Sequence, residues 1–117
     1  MRLHLETDEF DRLIATLTDG TKTALVTGRD SASAAADLGG ALDALVESGI
    51  GESFWLESHG EYRWLLRRNG ERVRVVVLWS NGVVTGWQQV FDVECDFARF
   101  VDECRRELLG APFCSPS

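Results

Sequence analysis

The residues best suited to chemistry are few and scattered. The soft ligands and nucleophiles are His4, His59, Cys95, Cys104 and Cys114. A structural zinc site needs closely spaced cysteine pairs or histidines one turn apart on a helix. No such spacing occurs, so no metal is expected. Cys95 precedes a predicted helix start, where the helix dipole lowers a thiol pKa, but Glu94 and Asp96 flank it and act in the opposite sense. Cys104 falls on an apolar helical stripe and reads as a small hydrophobe. There is no GxxxxGK[ST] or GxGxxG loop to cradle phosphates, and no GxSxG turn to present a serine. No catalytic residue and no cofactor are assigned; a catalytic carboxylate pair would have to be assembled from distant segments by the fold.

Charge offers two binding surfaces instead. Glu6, Asp8, Glu9 and Asp11 form an acidic cluster without the glycine and twelfth-position glutamate of a calcium loop, and read as an acidic face for a basic protein partner. Arg63, Arg67, Arg72 and Arg74 form the second set, joined by Trp87, as a site for an anion or a partner. Stacking of bases on that face is disfavoured by the overall charge and by the lack of a paired-aromatic RNA-binding motif.

The 117 residues are one domain's worth, with 44% hydrophobic and 26% charged residues, an ordinary globular composition. The formal net charge is −7. Residues 1–58 hold four bases against eleven acids, whereas residues 59–117 hold eight of each. An acidic molecule repels nucleic acid and anionic membrane and attracts basic partners. The longest apolar run, Val75–Trp79, is far too short to cross a bilayer. The residues from Met1 to Glu6 lack the apolar core of a secretory signal. Three cysteines, an odd number, argue against a disulfide framework and for a reducing cytoplasm.

The elements that must position these groups follow from periodicity. Phe10, Leu13, Ile14 and Leu17 have the spacing of an amphipathic helix, capped by Thr7 or Asp8 and stopped at Asp19-Gly20. Thr21–Thr27 reads as a strand. Residues 31–48 read as a helix with Ser31 or Ser33 as cap, a stripe of Leu38, Leu42, Leu45 and Val46, and Gly49 as its C-terminal glycine. Gly39-Gly40 within it implies either a later start or a close approach to the sheet. Phe54–Glu57, Tyr62–Arg68, Arg72–Trp79 and Val83–Phe91 read as four strands, joined through Ser58-His59-Gly60-Glu61, Asn69-Gly70 and Asn81-Gly82. A final helix runs from Asp96 to Leu109, with Phe97, Phe100, Val101, Cys104 and Leu108 on one face and Pro112 preventing continuation beyond Gly110. The expected fold class is α+β: a mainly antiparallel sheet, with a meander over residues 54–91 and helices packed on one face. The domain spans residues 1–110, with 111–117 as a loose tail.

Alternation divides the meander into two faces. A loop of Asn69 and Gly70 pairs Arg67 with Arg72, Leu66 with Val73 and Trp64 with Val75. Tyr62, Trp64 and Leu66 then face the core with Val73, Val75, Val77 and Trp79, while the four arginines face outward with Leu65, Val76 and Leu78. A two-residue Asn81-Gly82 turn puts Trp87 on the arginine face, opposite Val76, whereas a bulge at Gly86 would turn Trp87 and Phe91 back into the core. The stretch Tyr62-Arg63-Trp64-Leu65-Leu66-Arg67-Arg68-Asn69-Gly70, followed by Val73–Trp79, Gly86-Trp87 and the amphipathic Phe97–Leu108 helix, resembles small bacterial α+β proteins of the immunity-protein type. That resemblance implies an inhibitor of a secreted toxin and carries over no individual site residue; the acidic half of the chain suits a toxin with a basic active site. The alternative is a small ligand-binding or enzymatic domain with an anion site on the arginine face.

Overall fold

The computed structural model describes residues 1–81 and 86–110. Its elements run in the order β1 (Arg2–Thr7), β2 (Leu13–Asp19), β3 (Lys22–Gly28), α1 (Ser31–Ser48), β4 (Ile50–Glu57), β5 (Gly60–Asn69), β6 (Arg72–Ser80), β7 (Gln88–Asp96) and α2 (Phe97–Gly110). All strand pairs are antiparallel, and they form two sheets, β1-β2-β3 and β4-β5-β6-β7. The α+β class is therefore as expected.

The expected first helix does not exist: its residues form the end of a loop and strand β2. Leu13, Ala15 and Leu17 are fully buried, whereas Phe10 is 69% exposed. A spacing of four is shared by the helical and the strand repeat, so Leu13 and Leu17 fit either. The alternating Leu3 and Leu5, both buried, supply the partner strand that makes the second period win.

Helix α1 covers the predicted span, but its N-cap is Asp30, whose carboxylate accepts from the Ser33 amide at 3.1 Å. Gly49 ends it with φ 84°, a left-handed conformation that glycine adopts without strain. The buried stripe is Ala34, Ala35, Leu38, Ala41, Leu42 and Leu45, while Val46 is 43% exposed. Neither reading of Gly39-Gly40 holds, because the helix is continuous and nothing lies within 4 Å of where their side chains would begin. The close approach is at Gly51 instead, where a Cβ would sit 2.1 Å from the Ala41 carbonyl oxygen. That bare backbone lets α1 settle onto β4.

In the β5–β6 hairpin the pairs are Asn69 with Arg72, Arg67 with Arg74, Leu66 with Val75 and Trp64 with Val77. The two-residue loop is therefore Gly70-Glu71, not Asn69-Gly70. Gly70 has φ 64° and Asn69 has no positive φ, so glycine takes the first central position of the turn. The pairing moves by two residues, which leaves every side chain on its expected face. Between β6 and β7 the register breaks at Val77/Leu78, leaving Val90 as an extra residue. The expected strand Val83–Phe91 begins outside the described residues, as do Gly82 of the expected turn and the tail; β7 itself runs to Asp96.

The buried residues form one cluster, in which Trp55, Trp64 and Phe100 are the largest side chains. The rings of Trp55 and Trp64 lie 5.0 Å apart. Helix α2 contributes Phe100, Val101 and Cys104 to this core, with Phe97 and Leu108 packed at its margin. Asp96 caps α2, accepting from the Arg99 amide at 2.9 Å. Glu103 and Glu107 of α2 accept from the edge amides of Leu3 and Leu5 at 3.1 and 2.8 Å. On β4, the Phe54 amide donates to Asp37 and the Leu56 carbonyl accepts from the Arg29 amide. These contacts occupy outward backbone groups of the edge strands β1 and β4.

Candidate interface on the outer sheet face

The outward side chains of the four-stranded sheet form registered rows. One runs Phe54, Arg63, Leu78, Gln89; the next Glu52, Leu65, Val76, Asp92; the next Ile50, Arg67, Arg74, Glu94. Ile50, Phe54, Leu56 and Trp87 are 51, 43, 53 and 39% exposed, so neither helix lies over this face. Arg63, Arg67, Arg72 and Arg74 all stand here. Trp87 stands with them: the Arg63 guanidinium lies 5.8 Å from its ring centre and 5.1 Å from that of Phe54. Phe91, by contrast, is 4% exposed and belongs to the core. The bulge at Val90 allows the two aromatic residues to face opposite ways.

Three of the four arginines are held by carboxylates from neighbouring strands. Arg63 binds Glu52 at 2.9 Å, Arg72 binds Glu94 at 3.2 Å, and Arg74 reaches both oxygens of Asp92 at 2.9 and 2.6 Å. The hydrogen bond from Arg74 holds the Asp92 carboxyl below its usual pKa and raises that of Arg74. The directly opposed arginines are Arg67 and Arg74, and not Arg67 and Arg72 as the sequence implied.

The acidic set Glu6, Asp8, Glu9 and Asp11 is not a helix start, and two of its members are committed to the β1–β2 loop. Asp8 accepts from the amides of Phe10 and Arg12, both at 2.9 Å, and from Arg12 Nε at 3.0 Å. The Arg12 amide is the largest cause of its lowered pKa. Asp11 has φ 59° and accepts from the Ser31 hydroxyl at 2.6 Å, tying the loop to the start of α1. Glu6 on β1 and Glu9 in the loop remain as solvent-facing charges.

A concavity of about 270 Å³ left no signal in the sequence. Arg12, Thr27, Glu57, His59, Tyr62 and Trp79 line it where the two sheets meet. Glu57 is 11% exposed, accepts from the Thr27 hydroxyl and lies 3.7 Å from Arg12. Burial and then Glu57 raise the Tyr62 pKa. Thr27 and Arg12 are thus both engaged by Glu57, which joins sheet to sheet. Their separation in sequence left no motif to read.

Two of the three thiols, Cys95 and Cys104, lie among the described residues. Burial is the leading cause of raised pKa at both Cys95 and Cys104, and a thiolate is what a cysteine nucleophile requires. No cluster of three or more His, Cys, Asp or Glu fit to hold a metal occurs among the described residues. No helix among them is long and apolar enough to cross a membrane. No protein-family model, no curated protein and no solved structure matches the chain.

Proposed function

We propose that this chain is a non-enzymatic protein-binding module, of the kind that inhibits a basic toxin in the bacterial cytoplasm, and that its partner docks on the outer face of the four-stranded sheet. The observation that carries the reading is the exposed set Ile50, Phe54, Leu56 and Trp87 interleaved with arginines on a hydrogen-bonded sheet. Aromatic and arginine side chains dominate the energetic centres of protein interfaces. Carboxylates already fix Arg63, Arg72 and Arg74, so less side-chain freedom is lost on docking. The net charge of −7 supports long-range attraction of a basic partner. The free thiols Cys95 and Cys104 support a reducing compartment.

The test is affinity capture from the source cell, identification of the captured protein, and titration of that protein against variants. Phe54→Ala with Trp87→Ala should weaken binding at least about tenfold, the effect of losing roughly 1.4 kcal/mol. Binding equal to that of the unaltered chain places the interface elsewhere. Glu6→Lys with Glu9→Lys should slow association and reduce its salt dependence, because these carboxylates are free of the loop's hydrogen bonds.

A further inference from the structure

The outer sheet face contains a shallow dent of about 330 Å³ floored by Leu65 and Val76 and bordered by Ile50, Glu52, Arg67 and Arg74. The charges around it do not cancel. Glu52 is paired with Arg63 and Arg74 with Asp92. Arg67 alone of the four outward arginines has no carboxylate partner among the described residues, and it is exposed. It also stands directly opposite Arg74, an arrangement that costs stability in a sheet. An uncompensated guanidinium beside an apolar floor, on a molecule that is otherwise acidic, defines a two-part receptor.

We infer that the dent receives an acidic side chain, Asp or Glu, with its carboxylate on Arg67 and an adjacent apolar side chain on Leu65 and Val76. Guanidinium and carboxylate match in geometry, and the pair is stronger where apolar neighbours exclude water. Arg74 adds positive potential from across the strand pair, although Asp92 already occupies its fork. A partner that is basic overall still brings such a carboxylate: steering acts on net charge at long range, whereas this contact is set by one side chain. The inference rests on the protein-binding reading above and names the chemistry of the element that docks.

The experiment is a titration of the full chain, followed by backbone amide NMR at low salt, with short capped peptides as probes. Acetyl-Glu-Leu-amide should shift the amides around Leu65, Arg67 and Val76. Acetyl-Lys-Leu-amide and acetyl-Glu-Gly-amide should shift them several-fold less. Arg67→Glu should abolish the response while leaving the spectrum of the rest of the chain in place, since it puts a carboxylate opposite Arg74. Arg67→Lys should retain part of it. Equal shifts from the lysine peptide, or an unchanged response in Arg67→Glu, overturn the inference. So does preferential binding of acetyl-Ala-Leu with a free terminal carboxylate, which would assign the dent to a chain end. Because the probes are free peptides, the outcome does not depend on the capture experiment. A positive titration with no captured protein would count against the module reading alone, and a negative titration with a captured protein against the dent alone.

Discussion

Asp8 shows how one side chain can be read correctly in chemistry and wrongly in place. An aspartate that accepts from backbone amides two to four residues ahead serves a helix N-cap or a tight loop equally well. Here it organises the turn before β2. Its folded pKa lies below the usual carboxylate value, so its contribution to stability is present above its unfolded pKa and is lost as pH falls through the folded one. Melting temperature should therefore drop as pH falls below about 4. Asp8→Asn should melt lower at neutral pH and show a flatter acid limb. An identical acid limb in the two proteins would remove Asp8 from this account. The same burial logic applies to Cys104, which should resist alkylation at pH 8 in the folded chain and react on denaturation. Labelling as fast as a model thiol would mean that α2 does not stay docked.

At the scale of elements, sequence was most legible where a turn residue and an alternating pattern agreed, as in β5 and β6, and least where two periods coincide, as at Leu13 and Leu17. Glycine was the other source of error, because a sequence shows its freedom but not its neighbours. Gly51 and the Gly39-Gly40 pair make the contrast measurable. Gly51→Ala must push α1 off β4, since the new methyl meets the Ala41 carbonyl. It should cost about 1–3 kcal/mol by denaturant unfolding. Gly39→Ala and Gly40→Ala meet nothing and should each stabilise the helix by up to about 1 kcal/mol. Loss of stability at both of the latter positions would show that α1 is interrupted there.

For the whole molecule, the sequence revealed the hairpin of β5 and β6 and its two faces. It did not reveal that the seven strands among the described residues part into two sheets, because that depends on contacts between segments far apart in the chain. The candidate interface was legible to the same degree. Its arginines could be placed on one face, but which of them carboxylates would neutralise depends on the bulge at Val90 and on strands β4 and β7. The core that joins the layers is common to both sheets and to α2, so Phe100→Ala should cost about 3–5 kcal/mol and unfold the chain in one transition. Two separated transitions would mean that the sheets fold independently.

The clasp between β1 and α2 has a consequence for the order of events on the ribosome. The amides of Leu3 and Leu5 are matched to carboxylates 100 and 102 residues further along the chain. At translation rates of 5–20 residues per second, roughly 5–20 s pass between the emergence of that strand and of the helix that seals it. Throughout that interval a nascent chain carries an open template edge, and two such chains on one polysome can pair through it. Glu103→Ala with Glu107→Ala extends that exposure into the finished protein. Its signature would be aggregation during expression, out of proportion to any loss of equilibrium stability.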